Sequence, residues 1–177
     1  EEKGAPQIRQ CGSDFKPIEE DKSDNAKSLS MLLTYGSFRF FNGGDLTWNV
    51  ENKLVRPKDL VGPVDLFQVN HHGGSNSNNP ALVRALKPRV AVIGNGPRKG
   101  GDPKTFATLK SVPEIEAIYQ LHKNVLSTWN DNTASTYIAN DDEKCQGEFI
   151  KVSVSSNGRS YRVEIPSKKI GTNYSVR

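Results

Sequence analysis

The sequence predicts an α/β fold that passes into a β-rich carboxyl-terminal part. Between residues 28 and 128, short apolar strands alternate with helix-like segments, a pattern typical of a largely parallel sheet with helices packed on it. Residues 129–177 contain strand-like segments only, and Asn157-Gly158 supplies the positive φ of a tight hairpin turn. Residues 1–27 are charged and rich in turn-forming residues, so we interpret them as a mobile arm or linker.

Each expected strand is a short run rich in apolar and β-branched residues. In the central part the strands are Ser28 to Tyr35, Phe38 to Phe41, Val64 to Val69, Val90 to Ile93 and Ile115 to Leu121. Gly36-Ser37 turns the first two of these into a hairpin. In the carboxyl-terminal part the strands are Ser135 to Ala139, Glu148 to Ser155 and Arg159 to Ile165, the last two again as a hairpin.

Three helices are expected between the central strands. They cover Val50 to Val55, Pro80 to Leu86 and Lys104 to Leu109. Proline fits the first turn of a helix, where its missing N–H group costs no hydrogen bond. Asp102 stands before the third helix and can cap it.

Composition limits the function without deciding it. A chain of 177 residues can bury one domain core, and no apolar run approaches the length of a membrane span. The net charge of +4 favours anionic ligands, although a solvated surface with excess lysine also explains it. Cys11 and Cys145 show no metal-type spacing, so a disulfide and two ordinary thiols both stay open. The compartment is undetermined, and an extracytoplasmic location is one alternative because mature secreted proteins have lost their signal peptide.

Polar residues follow two of the predicted strands at the point where each strand ends. Asp45 comes after Asn42-Gly43-Gly44, which lets the chain turn tightly, and His71 and His72 follow Val64 to Val69. A carboxylate and an imidazole at the carboxyl ends of strands can form a metal or acid–base site. The alternatives are an aspartate that caps a turn and a pair of structural histidines. Successive strand-end side chains point to opposite sides, so we expect only one histidine to enter a given site.

At these residues the chain resembles the metallo-β-lactamase fold, and within it the ComEC-type branch of hydrolases. The resemblance runs from Asn25 to about Thr128. The matching segments, in order, are Asn25-Ala26-Lys27-Ser28, Gly44-Asp45-Leu46 with Glu51 and Leu54, His71-His72-Gly73-Gly74-Ser75-Asn76-Ser77, and Lys87-Pro88 followed by Val90 to Ile93. Each segment alone is weak evidence, and together they favour the fold more strongly than the activity.

The resemblance implies an αββα sandwich of two sheets with helices outside. This chain would be its carboxyl-terminal half with an extra β-hairpin extension. The implied activity is metal-dependent hydrolysis of a phosphodiester or another ester, nucleic acid included, and the ComEC-type branch accompanies DNA uptake in competence. Asp45, His71 and His72 are then the candidate catalytic residues. Two zinc ions would be bound, with Asp45 bridging them and His71 as a ligand, while His72 would contact the substrate or the Ser75-to-Ser77 loop.

The chain also departs from the family pattern. Most ligands of the fold come from His-x-His-x-Asp-His in an amino-terminal half, which cannot be written with His71, His72 and His122. Because the first residue is Glu1 rather than Met, we expect either a missing half upstream in a longer parent protein or a degenerate form without it. On the first view this chain alone is inactive and binds zinc weakly or not at all. On the second view it is a non-catalytic module that binds a partner.

A glycine-rich, cationic loop precedes the third helix and is the candidate substrate-binding segment. Asn95, Arg98 and Lys99 lie in it, Asp102 follows it, and Ser75 of the histidine segment completes the set. Backbone N–H groups and the two cations can approach a phosphate. Asp102 stands where the branch often has histidine, which would move the pKa of a proton-transfer group from about 6.5 to about 4. The alternative is a flexible loop followed by an N-cap aspartate.

An isolated half of this fold leaves the inner face of its sheet exposed. Side chains from Leu29 to Leu33, Phe38 to Phe41 and Leu66 to Val69 are expected to line that face. An apolar patch of this size rarely stays in water. We therefore expect the chain to pair with its missing half or with a second copy of itself.

Overall fold

The structure is a computed structural model that describes residues 15–177, apart from the side chain of Trp129. Its larger sheet has six strands in the order β1-β2-β3-β4-β5-β6. They are β1 (Met31–Tyr35), β2 (Phe38–Asn42), β3 (Leu66–Gln68), β4 (Val90–Ile93), β5 (Ala117–His122) and β6 (Ile138–Asn140). β1 is antiparallel to β2, and every later pair of neighbours is parallel.

Three helices follow successive strands of this sheet. They are α1 (Trp48–Lys53) after β2, α2 (Pro80–Leu86) after β3 and α3 (Pro103–Lys110) after β4. Short 3-10 turns occupy Asp24–Lys27, Asn70–Gly73, Trp129–Asp131, Ser135–Tyr137 and Pro166–Lys168. In the part of the chain that the structure describes, no helix is long and apolar enough to cross a bilayer.

A second sheet of three antiparallel strands follows. It consists of β7 (Lys151–Val154), β8 (Ser160–Ile165) and β9 (Ile170–Ser175). The β7–β8 hairpin confirms the predicted one, and Gly158 adopts the expected positive φ of 64° in its turn. The predicted α/β class is also confirmed, since a six-stranded mixed sheet and a three-stranded antiparallel sheet build an α+β sandwich.

The other predicted elements are confirmed with small shifts at their ends, but two segments and one strand differ. Residues 28–30 precede β1, because the Ser28 hydroxyl accepts a hydrogen bond from the Asp45 N–H (3.1 Å) and holds this stretch against the next loop. The segment Ser135 to Ala139 is divided between a 3-10 turn and β6, since Tyr137 N–H donates to the Ala134 carbonyl (2.8 Å). The strand β9 was not predicted.

Two apolar cores lie on opposite faces of the six-stranded sheet. The helices cover one face, and this core includes Phe41, Phe67, Leu82, Leu86, Ile93 and Leu109. The three-stranded sheet covers the other face, and this core includes Phe38, Leu66, Val90, Tyr119, Tyr161, Val163, Ile165 and Tyr174. Tyr161 joins the two sheets directly, because its ring lies 5.1 Å from that of Phe38 and its hydroxyl donates to the Asp65 carbonyl (2.9 Å).

The prediction of an exposed inner sheet face is wrong for β2 and β3. Phe38 and Leu66 are only 3% and 5% exposed, because β8 and β9 place aromatic and branched side chains over them. The prediction holds for the edge strand β1, where Met31 and Leu33 are 46% and 43% exposed. An open cleft of about 390 Å³ lies between the larger sheet and β7. It is lined by Phe38, Phe40, Leu66, Gln68, Val92, Ile150, Val152 and Val154.

The segment that leads into the sheet contacts α1. The indole N–H of Trp48 donates to the Lys16 carbonyl (2.9 Å). The Asn49 side chain donates to the Ile18 carbonyl (2.8 Å) and accepts from the Ile18 N–H (3.1 Å). The predictions for residues 1–14, Cys11 among them, lie outside the described residues.

Candidate active site

The loops that carry Asp45 and His71 meet at one edge of the larger sheet. β2 and β3 are parallel neighbours, so their carboxyl ends share that edge. The His71 N–H donates to the Gly44 carbonyl (2.9 Å), and the Gly43 N–H donates to the Asn70 side chain (3.1 Å). Gly44 adopts a φ of 59°, which glycine reaches without strain. The sheet therefore brings together the two residues that the sequence predicts as metal ligands.

Asp45 offers an unused carboxylate. The residue is half-buried, and its backbone N–H is held by the Ser28 hydroxyl (3.1 Å). Within residues 15–177, its side-chain oxygens accept no hydrogen bond and form no ion pair. A fixed backbone with free carboxylate oxygens is an arrangement that suits a ligand rather than a turn cap.

The His71 imidazole is held through both ring nitrogens. Nδ1 lies 3.2 Å from the Ser77 hydroxyl, and Nε2 lies 3.4 Å from the Asn25 side-chain nitrogen. When Asn25 donates to Nε2, the ring proton is on Nδ1 and donates to Ser77, and the Nε2 lone pair can bind a metal ion only in place of the Asn25 hydrogen bond. Hydrogen bonds from Ser23 lower the pKa of Asp21, and a protonated His71 ring would lower it slightly further.

His72 is exposed and held by a different loop. Its Nδ1 donates to the Gly94 carbonyl (2.9 Å), which leaves Nε2 free, and its ring centroid lies 6.4 Å from that of His71. The prediction that the two histidines end a strand is wrong, because both lie in the Asn70–Gly73 turn with φ of 50° and 55°. Such left-handed backbone costs of order 1–3 kcal/mol for each non-glycine residue and clusters at functional sites.

A buried polar network surrounds the histidine turn. The Glu51 carboxylate is fully buried and accepts hydrogen bonds from the Asn70 side chain (2.7 Å) and from the N–H groups of Asn78 (2.7 Å) and Asn79 (2.8 Å). Asn79 also donates to the Trp48 carbonyl (2.8 Å), which ties α1 to the start of α2. Glu51 lies in one of the segments on which the predicted resemblance rests, but its role as an acceptor was not predicted.

Glycines let the neighbouring loop approach the histidine turn. The Gly101 N–H donates to the His72 carbonyl (2.8 Å), and the Asp102 N–H donates to the Gly73 carbonyl (3.0 Å). A Cβ on Gly100, whose φ is 75°, would lie 2.1 Å from the His72 carbonyl oxygen. Only glycine fits there, so this contact fixes the spacing of the two loops.

Gly100→Ala is therefore expected to lower the free energy of unfolding by at least about 2 kcal/mol, from left-handed strain and the clash with His72 together. Chemical denaturation measures the loss. Gly94→Ala is the matched control, because no atom lies within 4 Å of its added Cβ and its φ is ordinary. Equal stability of the two variants would contradict the close loop contact.

The predicted substrate-binding residues differ in how freely their side chains can contact a substrate. Asn95 is 1% exposed, and its amide donates to the carbonyls of His122 (2.7 Å) and Gly96 (3.1 Å). Arg98 forms a two-pronged ion pair with Glu143. Lys99 is exposed and has no ion pair among residues 15–177. Of the loop's three candidates, Lys99 is thus the one most open to an anion.

Asp102 and Ser75 contact each other. The Asp102 carboxylate accepts the Ser75 N–H (2.8 Å), so it holds the histidine segment, although Asp102 occupies the predicted N-cap position of α3. The Thr105 hydroxyl adds a second link from α3 by donating to the Gly74 carbonyl (3.1 Å). Through these contacts, α3 and the residue before it hold the loop that follows His71 and His72.

The donor set fits part of a zinc site. Asp45 and the Nε2 atom of His71 are suitable ligands, but zinc takes three or four protein ligands. In the described part of the chain, no group of three or more His, Cys, Asp or Glu side chains converges on one point.

Comparison with known proteins shows a similarity to part of a longer protein. The chain is 31% identical over 75 residues to Recombination protein 2 of Haemophilus influenzae. The match covers 42% of this chain but only 9% of that protein's length. No protein-family model matches the sequence. The chain is therefore similar to a short part of a much longer recombination protein.

Proposed function

We propose that this chain is the carboxyl-terminal half of a metallo-β-lactamase-like hydrolase that cleaves a phosphodiester or another ester, nucleic acid among the candidate substrates. The observation that carries the proposal is the unused Asp45 carboxylate beside the held His71 imidazole at one sheet edge. The similarity to a recombination protein, over a short part of its length, supports a role connected with DNA.

In the proposed site, residues of this chain would bind the metal ions and orient the substrate. Two bound zinc ions would supply a hydroxide near neutral pH and offset developing negative charge. Asp45 would bind the ions through its free carboxylate oxygens, and His71, held by Ser77 at Nδ1, would bind one ion through Nε2 in place of its Asn25 contact. His72, fixed through Nδ1 by Gly94, keeps Nε2 free to hydrogen-bond the substrate. Lys99 attracts the phosphate without first breaking an ion pair within residues 15–177.

Zinc titration of the isolated chain tests the half-fold. Calorimetry is expected to detect weak zinc binding or none, because Asp45 and His71 are two ligands where zinc needs three or four. The longer parent protein is expected to retain zinc through purification and to hydrolyse a phosphodiester. A tight, stoichiometric zinc site in the isolated chain would contradict the half-fold, and a parent protein without zinc or hydrolysis would contradict the activity.

The second candidate is a non-catalytic module that binds a partner through its edge strand β1. The exposed strand β1 favours it, because all five of its residues are exposed and none is charged. An unpaired apolar edge strand is a template for pairing with another strand. The occupant would be a second copy of this chain, or the missing half of the sandwich paired along β1 rather than over the inner face that β8 and β9 cover.

Sedimentation of the purified chain is expected to show association at micromolar concentration, and Leu33→Lys on β1 is expected to weaken it, because a charge on an edge strand opposes pairing. Leu126→Lys is the matched control, since Leu126 is 66% exposed and lies away from β1. A compact monomer at every concentration would contradict pairing with a second copy. Equal effects of the two variants would contradict the assignment to β1.

A further inference from the structure

We propose that Glu51 is the positioning residue for His71, because its buried carboxylate clamps both ends of the segment that presents the imidazole. This role rests on the proposed function, since it matters to catalysis only if His71 acts at the sheet edge. No residue assigned to binding or catalysis above contacts the Glu51 carboxylate directly.

The surroundings of Glu51 contain only donors. Its oxygens accept from Asn70 Nδ2 and from the N–H groups of Asn78 and Asn79, and no cation pairs with it in the described part of the chain. Burying a carboxylate without a cation is unfavourable unless hydrogen bonds replace the lost water. The three short hydrogen bonds replace that water, and they also fix the backbone of the segment that they hold.

The three donors lie on either side of the histidines. Asn70 directly precedes His71, while Asn78 and Asn79 end the same segment. The Asn78 side chain closes the loop by donating to the Asn70 carbonyl (2.9 Å) and accepting from the Asn70 N–H (2.9 Å). Asn70 also accepts the Gly43 N–H (3.1 Å), so the same network reaches the turn that carries Asp45.

The clamped segment would not keep its shape unaided. His71, His72 and Gly73 have three successive positive φ angles of 50°, 55° and 78°. Non-glycine residues stay in this region only where the surroundings over-determine the backbone. Glu51 supplies that constraint from α1, and the Ser77 contact of His71 depends on it.

The test is nitrogen-15 NMR of the histidine rings in the isolated chain without metal, at a pH above the Glu51 pKa of about 7, so that its carboxylate is ionised. The wild-type chain is expected to show one His71 tautomer, protonated at Nδ1. Glu51→Gln places an NH₂ group against N–H donors, so we expect mixed His71 tautomers. We also expect exchange of the Asn79 N–H with solvent to be roughly tenfold faster, as for the loss of one buried hydrogen bond.

The matched control is Val163→Ala, which removes apolar contacts in the other core and leaves the Glu51 network intact. It is expected to lower stability without altering the His71 tautomer. If Glu51→Gln does not fold, Asn70→Ala removes one of the three bonds and provides the same readout. A folded variant that keeps the wild-type tautomer and exchange rate would overturn the proposal. Loss of His71 order in Glu51→Gln, together with full activity of His71→Ala in the parent protein, would instead overturn the proposed function.

Discussion

Replacing Asp45 or His71 by alanine is expected to lower hydrolysis by the full-length parent protein at least about a thousandfold, because each change removes a ligand from a site worth several kcal/mol to the transition state. The folded structure is expected to survive. The Asp45 carboxylate makes no hydrogen bond within residues 15–177, and His71 loses only its contacts to Asn25 and Ser77. Turnover of a phosphodiester measures the activity of each variant, and circular dichroism measures its folding.

Two variants of the same residue types serve as controls for this experiment. Asp142 is exposed and His122 lies at the end of β5, so Asp142→Ala and His122→Ala are expected to keep near wild-type turnover. The metal assignment is wrong if Asp45→Ala and His71→Ala also keep it. Loss of turnover in Asp45→Ala and His71→Ala, but not in the controls, would link activity to the edge of the sheet where β2 and β3 end.

The free energy of unfolding is expected to fall as the pH rises from 4.5 to about 7, by up to about 3 kcal/mol from Glu51 alone. Burial raises the pKa of Glu51 from 4.5 to about 7, against the opposing effect of the three hydrogen bonds that its carboxylate accepts. The folded state therefore holds this proton more tightly than the unfolded chain does. Stability from this group is fully present below pH 4.5 and is lost as the pH passes about 7.

Denaturant titration across this pH range measures the effect, and Glu51→Gln is expected to flatten it because glutamine does not titrate. Carboxyls such as Glu143 and Glu164, whose pKa is lowered by hydrogen bonds from Arg98 and Lys151, contribute with the opposite sign below pH 4.5. Their effect on stability falls below the pH range of 4.5 to about 7 in which Glu51 acts. Identical pH profiles for the wild type and Glu51→Gln would contradict the assignment to Glu51.

The sequence predicted the order of strands and helices well, because each element carries a local signal. Pro80 to Leu86 and Val90 to Ile93 match the structure residue for residue, since turn residues or proline bound them on both sides. β9 was missed because Ile170–Ser175 contains only one branched apolar residue and is rich in glycine and polar residues. It is a strand because β8 offers it a complete edge, which is a tertiary effect.

The candidate site was predicted in part. The edge shared by Asp45 and His71 follows from strand order, which the sequence indicates. The left-handed backbone of His71 and His72 does not follow, because no local pattern marks it and a buried carboxylate from another helix holds it. Asn70, Asn78 and Asn79 look like ordinary loop residues in the sequence, and only the fold brings them to Glu51.

The late position of the covering sheet affects the nascent chain. All six strands of the larger sheet precede residue 141, whereas Tyr161 and Tyr174, which cover its second face, come near the end. At a synthesis rate of about 5–20 residues per second, the face that contains Phe38 and Leu66 stays uncovered for roughly 2–7 s after β6 is made. During that interval chaperones and other nascent chains can reach it. Premature termination before Tyr161 would make this exposure permanent and mark the product for quality control.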